Sequence, residues 1–126
     1  FSLKSGAFAS SVAHDSHNII CIGTNDEDIN GAINEIVRMQ GGLSVVCNKE
    51  KHLLQLPVAG IMSDKPVAEI AGKYEMLSKM VKSLGCKLSA PFMTLSFMAL
   101  LVIPELKISD KGLFDVNRFQ YVNLFI

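Results

Sequence analysis

Two short apolar segments near the start of the chain are separated by a dense polar cluster. The segments GAFASSVA and NIICIGT are rich in small and β-branched residues, a composition that favours strands. Between them, residues His14 to Asn18 read HDSHN. The pattern therefore predicts two strands joined by a polar connection.

A first helix is predicted near residues 26 to 40 because apolar side chains recur there every three or four positions. Thr24 and Glu27 have the spacing of a capping box, and the pair Gly41-Gly42 can end the helix in a left-handed conformation. The apolar stripe that should face the core comprises Ile29, Ala32, Ile33, Ile36 and Val37.

A second helix is predicted near residues 65 to 84. Asp64 can cap it, Pro66 suits its first turn, and Gly85 can end it. Its apolar face is predicted to lie in the core and comprises Val67, Ile70, Ala71, Tyr74, Leu77, Val81 and Leu84.

The remaining segments complete a mixed pattern of helices and strands. LSVVCN and HLLQLP flank Lys49-Glu50-Lys51 as a hairpin, and the tail has a turn at Asp110-Lys111-Gly112 between short β segments. The apolar segment FMTLSFMALLVI fits a buried strand or a buried helix equally well. We predict a single α/β or α+β domain with a mixed sheet covered by at least two helices.

Composition limits the possible partners. With 126 residues, 49% of them apolar and 19% charged, the chain is globular, and its 12 basic and 12 acidic residues cancel. It has no basic stretch that would bind nucleic acid, and FMALLVI is far shorter than the roughly 20 residues of a membrane span.

The three cysteines form no CxxC pattern, so we expect reduced thiols, in or near the core, in a cytoplasmic chain. The first segment is already strand-like, so the chain is expected to be an excerpt of a longer one.

The polar cluster has several possible chemistries. A catalytic metal site needs a third protein ligand beside His14 and His17, and His52 lies in a separate hairpin. The patterns H-x-E and P-C-x-x-C of zinc nucleobase deaminases are absent from the sequence. Ser16 is adjacent to Asp15 and His17, but neighbouring side chains point in opposite directions, which argues against a catalytic triad. An Asx-stabilised turn and a loop contributed to an active site both remain open.

A family resemblance bears on this choice. The segments GAFASSVAHDSHNIICIGTNDEDI, LPVAGIMSD and LGCKLSAPFMTLSFMALLVIPELKISDKGLFDV resemble, nearly end to end, the C-terminal domain of bacterial and archaeal adenine deaminases of the amidohydrolase superfamily. The most specific parts are AHDSHN and the region from PFMTLSF to IPELK. The sequence departs from the family pattern at Leu54-Gln55-Leu56-Pro57 and in its ending YVNLFI.

The resemblance implies an enzymatic activity and an upstream domain that this sequence does not include. Adenine deaminases of this family are metal-dependent hydrolases of purine salvage that convert adenine and water to hypoxanthine and ammonia. Their metal, which can be manganese, iron or zinc, is bound by an upstream (β/α)8 barrel domain. This chain alone is therefore expected to hold no metal or cofactor and to be inactive. The implied partners are that barrel, adenine as the substrate of the complete enzyme, and further copies in a homo-oligomer.

We expect the polar cluster to contribute to the active site of the complete deaminase. An imidazole could orient the purine or handle the leaving ammonia, with Asp15 or Asn18 setting its tautomer. The alternative is a structural or oligomerisation module, and a third possibility is a free-standing domain that binds a small ligand. The candidate residues are His14, Asp15, Ser16, His17 and Asn18.

Overall fold

The computed structural model, which describes residues 1–125, is built from two antiparallel sheets and three helices. The first sheet has strand order β2-β1-β3-β4, and the second has order β5-β6-β7. The elements in chain order are β1 (Ala7–Ser10), β2 (Ile20–Gly23), α1 (Asp26–Met39), β3 (Gly42–Cys47), β4 (Glu50–Gln55), α2 (Val67–Ser83), α3 (Pro91–Met98), β5 (Leu106–Ser109), β6 (Gly112–Asp115) and β7 (Gln120–Val122).

The four-stranded sheet is covered by helices on both faces. Alternate residues of a strand point to opposite faces, so β1 contributes Ala7 and Ala9 to one core and Phe8 to the other. Helix α1 covers the face that carries the two alanines, and α2 and α3 cover the face that carries Phe8. The predicted α+β domain is confirmed. All strand pairs of both sheets are antiparallel, where the sequence had suggested a mixed sheet.

Helix α1 begins one residue later than the capping-box pattern predicted. The N-cap is Asn25, whose side chain accepts a hydrogen bond from the backbone N–H of Asp28 at 2.8 Å. Thr24 instead continues the strand, because its backbone N–H donates to the carbonyl of Gly6 at 3.0 Å and its hydroxyl donates to the same oxygen. At the other end the left-handed residue is Gln40 with φ 60°, immediately before the predicted glycine pair. Val37, predicted to be buried, is 58% exposed.

Helix α2 follows the predicted span, but its ends and its buried face differ from the prediction. The N-cap is Pro66, whose ring cannot accept a hydrogen bond, so the predicted capping role of Asp64 is wrong. Within the helix, only Leu77 and Val81 of the predicted face are buried, and Val67 is 84% exposed. The second half of α2 therefore packs on the sheet, and the first half leaves its apolar face partly uncovered.

The β3–β4 hairpin turns one residue earlier than predicted. Asn48 and Lys49 are its two central residues, with φ angles of 49° and 72°, while Glu50 and Lys51 belong to β4. Two positive φ angles define a type I′ turn, whose twist matches the paired strands.

The other ambiguous segment and the tail are now defined. FMTLSFM is helical, and α3 carries Pro91 in its first turn. The tail forms the meander β5-β6-β7, with the predicted turn at Asp110-Lys111, and its contacts lie chiefly within itself. Phe114 stacks edge-on with Phe119 and Tyr121 there.

The cysteine and membrane predictions can also be compared with the structure. Cys21, Cys47 and Cys86 are free thiols, one buried and two partly buried, as predicted. Within the described residues, no helix has both the length and the apolar character needed to cross a bilayer.

Candidate functional site

The polar cluster lies in the connection between β1 and β2, at one end of the four-stranded sheet. All five residues from His14 to Asn18 are exposed. The connection is fastened to α3, because the backbone N–H of His14 donates to the carbonyl of Ser96 at 3.3 Å. The imidazole of His14 also lies against the ring of Phe97, with 4.5 Å between ring centroids. The structure thus presents the cluster to solvent from a braced position.

His17 is held in one tautomer by the backbone. Its Nδ1 accepts a hydrogen bond from the N–H of Ala13 at 3.2 Å. A neutral imidazole that accepts at Nδ1 carries its proton at Nε2, so His17 offers a donor at Nε2. The tautomer is therefore set by Ala13, and the expectation that Asp15 or Asn18 would set it is wrong for this ring.

A small crevice adjoins each side of the cluster. On the α1 side, a crevice of about 220 Å³ is lined by His17 together with Ser11, Gln40, Gly41 and Gly60, among others. On the α3 side, Asp15 and Ser16 line one of about 250 Å³ with residues 99–102. His17 thus borders a crevice that contains polar groups, whereas Asp15 and Ser16 border one whose other lining residues are apolar.

Ser11 fixes the base of the loop. Its hydroxyl oxygen accepts a hydrogen bond from the backbone N–H of Gly42 at 2.7 Å and donates to the carbonyl of Gly60. One side chain therefore connects the end of β1, the start of β3 and the loop after β4. Sequence reasoning missed Ser11 and Gly60, because only the folded chain brings these distant backbone groups together.

The described residues 1–125 contain no group of three or more histidine, cysteine or acidic side chains arranged for a metal ion. His52 lies on β4 and lines a separate crevice of about 300 Å³ with Cys47 and Glu50, toward the hairpin end of the sheet. The structure therefore groups the five predicted residues and keeps the third histidine apart. The cluster can donate and accept hydrogen bonds and transfer protons.

Comparisons with known proteins agree with the resemblance seen in the sequence. Residues 1–120 match the family described as "Adenine deaminase C-terminal domain". An adenine deaminase of Methanosarcina barkeri is 55% identical over 125 residues, which is 98% of this chain and 22% of that protein. Adenine deaminases of a Sulfurovum species and of Methanosphaera stadtmanae are 56% and 48% identical over 124 residues, each match covering 98% of this chain and 23% of the relative. The chain spans less than a quarter of the length of these relatives. It belongs to the adenine deaminase C-terminal domain family.

Proposed function

We propose that this chain is the C-terminal part of a cytoplasmic, metal-dependent enzyme of purine salvage that hydrolyses adenine to hypoxanthine and ammonia, and that residues His14 to Asn18 contribute to its active site. The observation that carries this proposal is the fixed tautomer of His17. His17 is an exposed residue whose Nδ1 is occupied by Ala13, so its Nε2–H is available to a ligand outside this chain. The relatives named adenine deaminase support the reaction.

The chemistry divides between two parts of the complete enzyme. The residues described here do not fit a metal, so manganese, iron or zinc would be held by the upstream amidohydrolase barrel, where it would supply activated water. This chain would act on the purine itself. The Nε2–H of His17 can donate to a ring nitrogen of adenine, and His14 can pass a proton toward the leaving ammonia.

A braced loop suits this role because binding groups are most effective when their positions are fixed before the substrate arrives. Ser96 holds the backbone of His14, and Ser11 holds the base of the loop. Neither contact uses an imidazole or a carboxylate of the cluster. The loop can therefore be ordered while its polar side chains stay available to a ligand.

The test is steady-state kinetics of the complete enzyme with His14→Ala and His17→Ala. Removal of a group that takes part in proton transfer or orientation should lower kcat/KM about 100-fold or more. His17→Gln, whose amide can still donate, should retain more activity than His17→Ala. His52→Ala is the matched control, because this histidine lines a different crevice, and it should stay within about twofold of the unaltered enzyme. Normal turnover in both alanine variants, with metal content and folding unchanged, would show that the loop is structural.

A second candidate function is assembly into homo-oligomers. It is favoured by the β5-β6-β7 meander, which exposes apolar side chains such as Ile108, 81% exposed. An apolar strand surface of this kind is suited to covering by another chain. If the meander forms the oligomer interface, Ile108→Glu would lower the mass of the assembly formed by the complete protein in sedimentation experiments, while His17→Ala would not.

A further inference from the structure

An apolar groove of about 340 Å³ opens between the four-stranded sheet and the first half of α2. We call it the α2 groove. Its lining comes from the sheet, from the loop after β4 and from both helices of that face, and it consists of Ser10, Val12, Leu43, Leu54, Leu56, Ile61, Ile70, Tyr74, Phe92, Met93 and Ser96.

The α2 groove exists because the apolar stripe of α2 is longer than the surface it packs on. Leu77 and Val81, in the second half of the helix, are fully buried against the sheet. One and two turns earlier, Tyr74 and Ile70 lie on the same side of the helix. They touch the edge of the core, Tyr74 against Phe92 at 5.8 Å between ring centroids, and their remaining surface lines the open groove. An amphipathic helix that leaves part of its apolar face uncovered is suited to packing against a further apolar surface.

The mouth of the groove is apolar, and the outer side of α2 is charged. Met93 lines the groove and is 57% exposed. On the outer side, Lys73 pairs with Glu69 at 2.8 Å and Lys79 pairs with Glu75 at 2.7 Å, as expected for a solvated helix face. The groove side of α2 is therefore apolar and its outer side is charged.

We propose that the upstream part of the complete polypeptide places apolar side chains in the α2 groove and covers Met93. More than three quarters of the Methanosarcina barkeri relative lies outside the match to this chain, and the family description puts the matched part at the C-terminus. A large covalently linked neighbour therefore exists in such proteins. This step rests on the proposed function only in treating the chain as the C-terminal part of a longer enzyme.

The groove also lies next to the candidate site. Ser96 lines the α2 groove, and its carbonyl accepts the backbone N–H of His14. Val12 lines the groove two residues before His14. A segment seated in the groove therefore stands beside the polar loop and can bring the upstream active site to it.

Methionine oxidation by hydrogen peroxide tests this proposal without any amino-acid substitution. Met93 is the reporter, and Met76 is the matched control, with 57% and 44% of their surfaces exposed in this chain. Met76 lies two residues after Tyr74, about 200° around the helix, and so faces away from the groove. Mass spectrometry would give the oxidation rate of each methionine in the complete polypeptide and in the 126-residue chain.

The expected result is an oxidation rate of Met93 that is about fivefold or more lower in the complete polypeptide, with Met76 within about twofold in both forms. Equal rates for Met93 in the two forms would overturn the proposal. Protection of Met93 that rises with the concentration of the 126-residue chain would assign the groove to a second copy and would also overturn it. Neither readout depends on turnover, so this test can fail while the catalytic proposal for the loop stands.

Discussion

The backbones of Gly41 and Gly60 lie so close together that a Cβ atom added to Gly41 would stand 2.2 Å from the Cα of Gly60. Gly41 also has a φ of 118°, a conformation that other residues rarely adopt. This contact joins the end of α1 to the loop after β4, beside the crevice that His17 lines. The position of the candidate loop thus depends on two residues without side chains.

Gly41→Ala should lower the free energy of unfolding by about 3 kcal/mol or more, because the methyl group adds a backbone clash to the strain of a positive φ. Urea unfolding followed by circular dichroism would measure the change. Gly72→Ala is the control, since a Cβ there meets no atom within 4 Å and the site lies in a helix. That variant should gain about 0.5–1 kcal/mol. Equal stability of the two variants would contradict the role assigned to the Gly41 contact.

Glu35 should make the stability of the chain depend on pH. Hydrogen bonds from Lys51 and Arg38 hold the pKa of Glu35 below its ordinary value of 4.5 and outweigh burial, which raises it. Because this pKa is lowered in the folded state, the stabilisation is present above pH 4.5 and is lost as pH falls through the folded value. Glu35→Gln should therefore cost about 1–2 kcal/mol at pH 7.

Thermal and urea unfolding of the Glu35→Gln variant across this pH range would test the prediction. The difference in the free energy of unfolding between the variant and the unaltered chain should become smaller in acid. Glu69→Gln is the control, because its partner Lys73 and Glu69 itself are both about half exposed and such pairs contribute little. A loss of stability that stays the same at every pH would mean that packing, rather than charge, explains the effect of Glu35.

Lys49→Gly should stabilise the β3–β4 hairpin. Lys49 is the second central residue of the type I′ turn and has a φ of 72°, a conformation that glycine adopts without strain. We expect a gain of about 0.5–1 kcal/mol in urea unfolding. Lys49→Ala keeps the Cβ atom and should show no such gain. If alanine stabilises the chain as much as glycine, the benefit comes from removing the lysine charge.

Cys21 should be a slow nucleophile. Burial raises the pKa of its thiol from 9.0 to about 11, so at pH 8 the thiolate fraction is roughly 100-fold below that of an ordinary cysteine. Alkylation with iodoacetamide, located by mass spectrometry, would measure the rate. In urea Cys21 should react like an ordinary thiol. Similar rates in native and unfolded chains would show that Cys21 is accessible and not suppressed by its surroundings.

The 126-residue chain by itself should contain no stoichiometric catalytic metal and should not turn over adenine. Its described residues lack the three ligands that a catalytic site needs. Elemental analysis and an ammonia-release assay would check both statements. One tightly bound transition ion per chain, lost in a His14→Ala and His17→Ala double variant, would contradict this expectation.

Apolar periodicity correctly predicted where α1 and α2 lie, but it left the segment of α3 open between strand and helix and could not identify what covers the predicted helices. The stripe on α2 is regular from Val67 onward, and the sheet reaches only its second half. Likewise, Thr24 and Asn25 can both cap a helix. Asn25 is the cap because the hydroxyl of Thr24 donates instead to the carbonyl of Gly6. Such outcomes depend on tertiary neighbours, which a local pattern does not contain.

The five polar residues of the candidate site could be identified as one cluster from the sequence because they are consecutive. Their hydrogen bonds were not predictable in the same way. Ala13 binds His17 through a backbone N–H, and backbone groups look alike at every position of a sequence. Ser11 meets Gly42 and Gly60 only after the strands have paired.

The central position of β1 has a consequence for how the chain folds. Its partners come later in the sequence: Ala7 pairs with Gly23 and Val46, and Phe8 stacks edge-on with Phe92 at 5.1 Å between ring centroids. Adjacent strands such as β3 and β4 can pair early because little loop entropy opposes them. During synthesis, therefore, Phe8 has only part of its final packing until the segment that contains Phe92 has left the ribosome. The fully buried strand β1 of the finished domain thus leaves apolar side chains exposed in the nascent chain until its later partners have been synthesised.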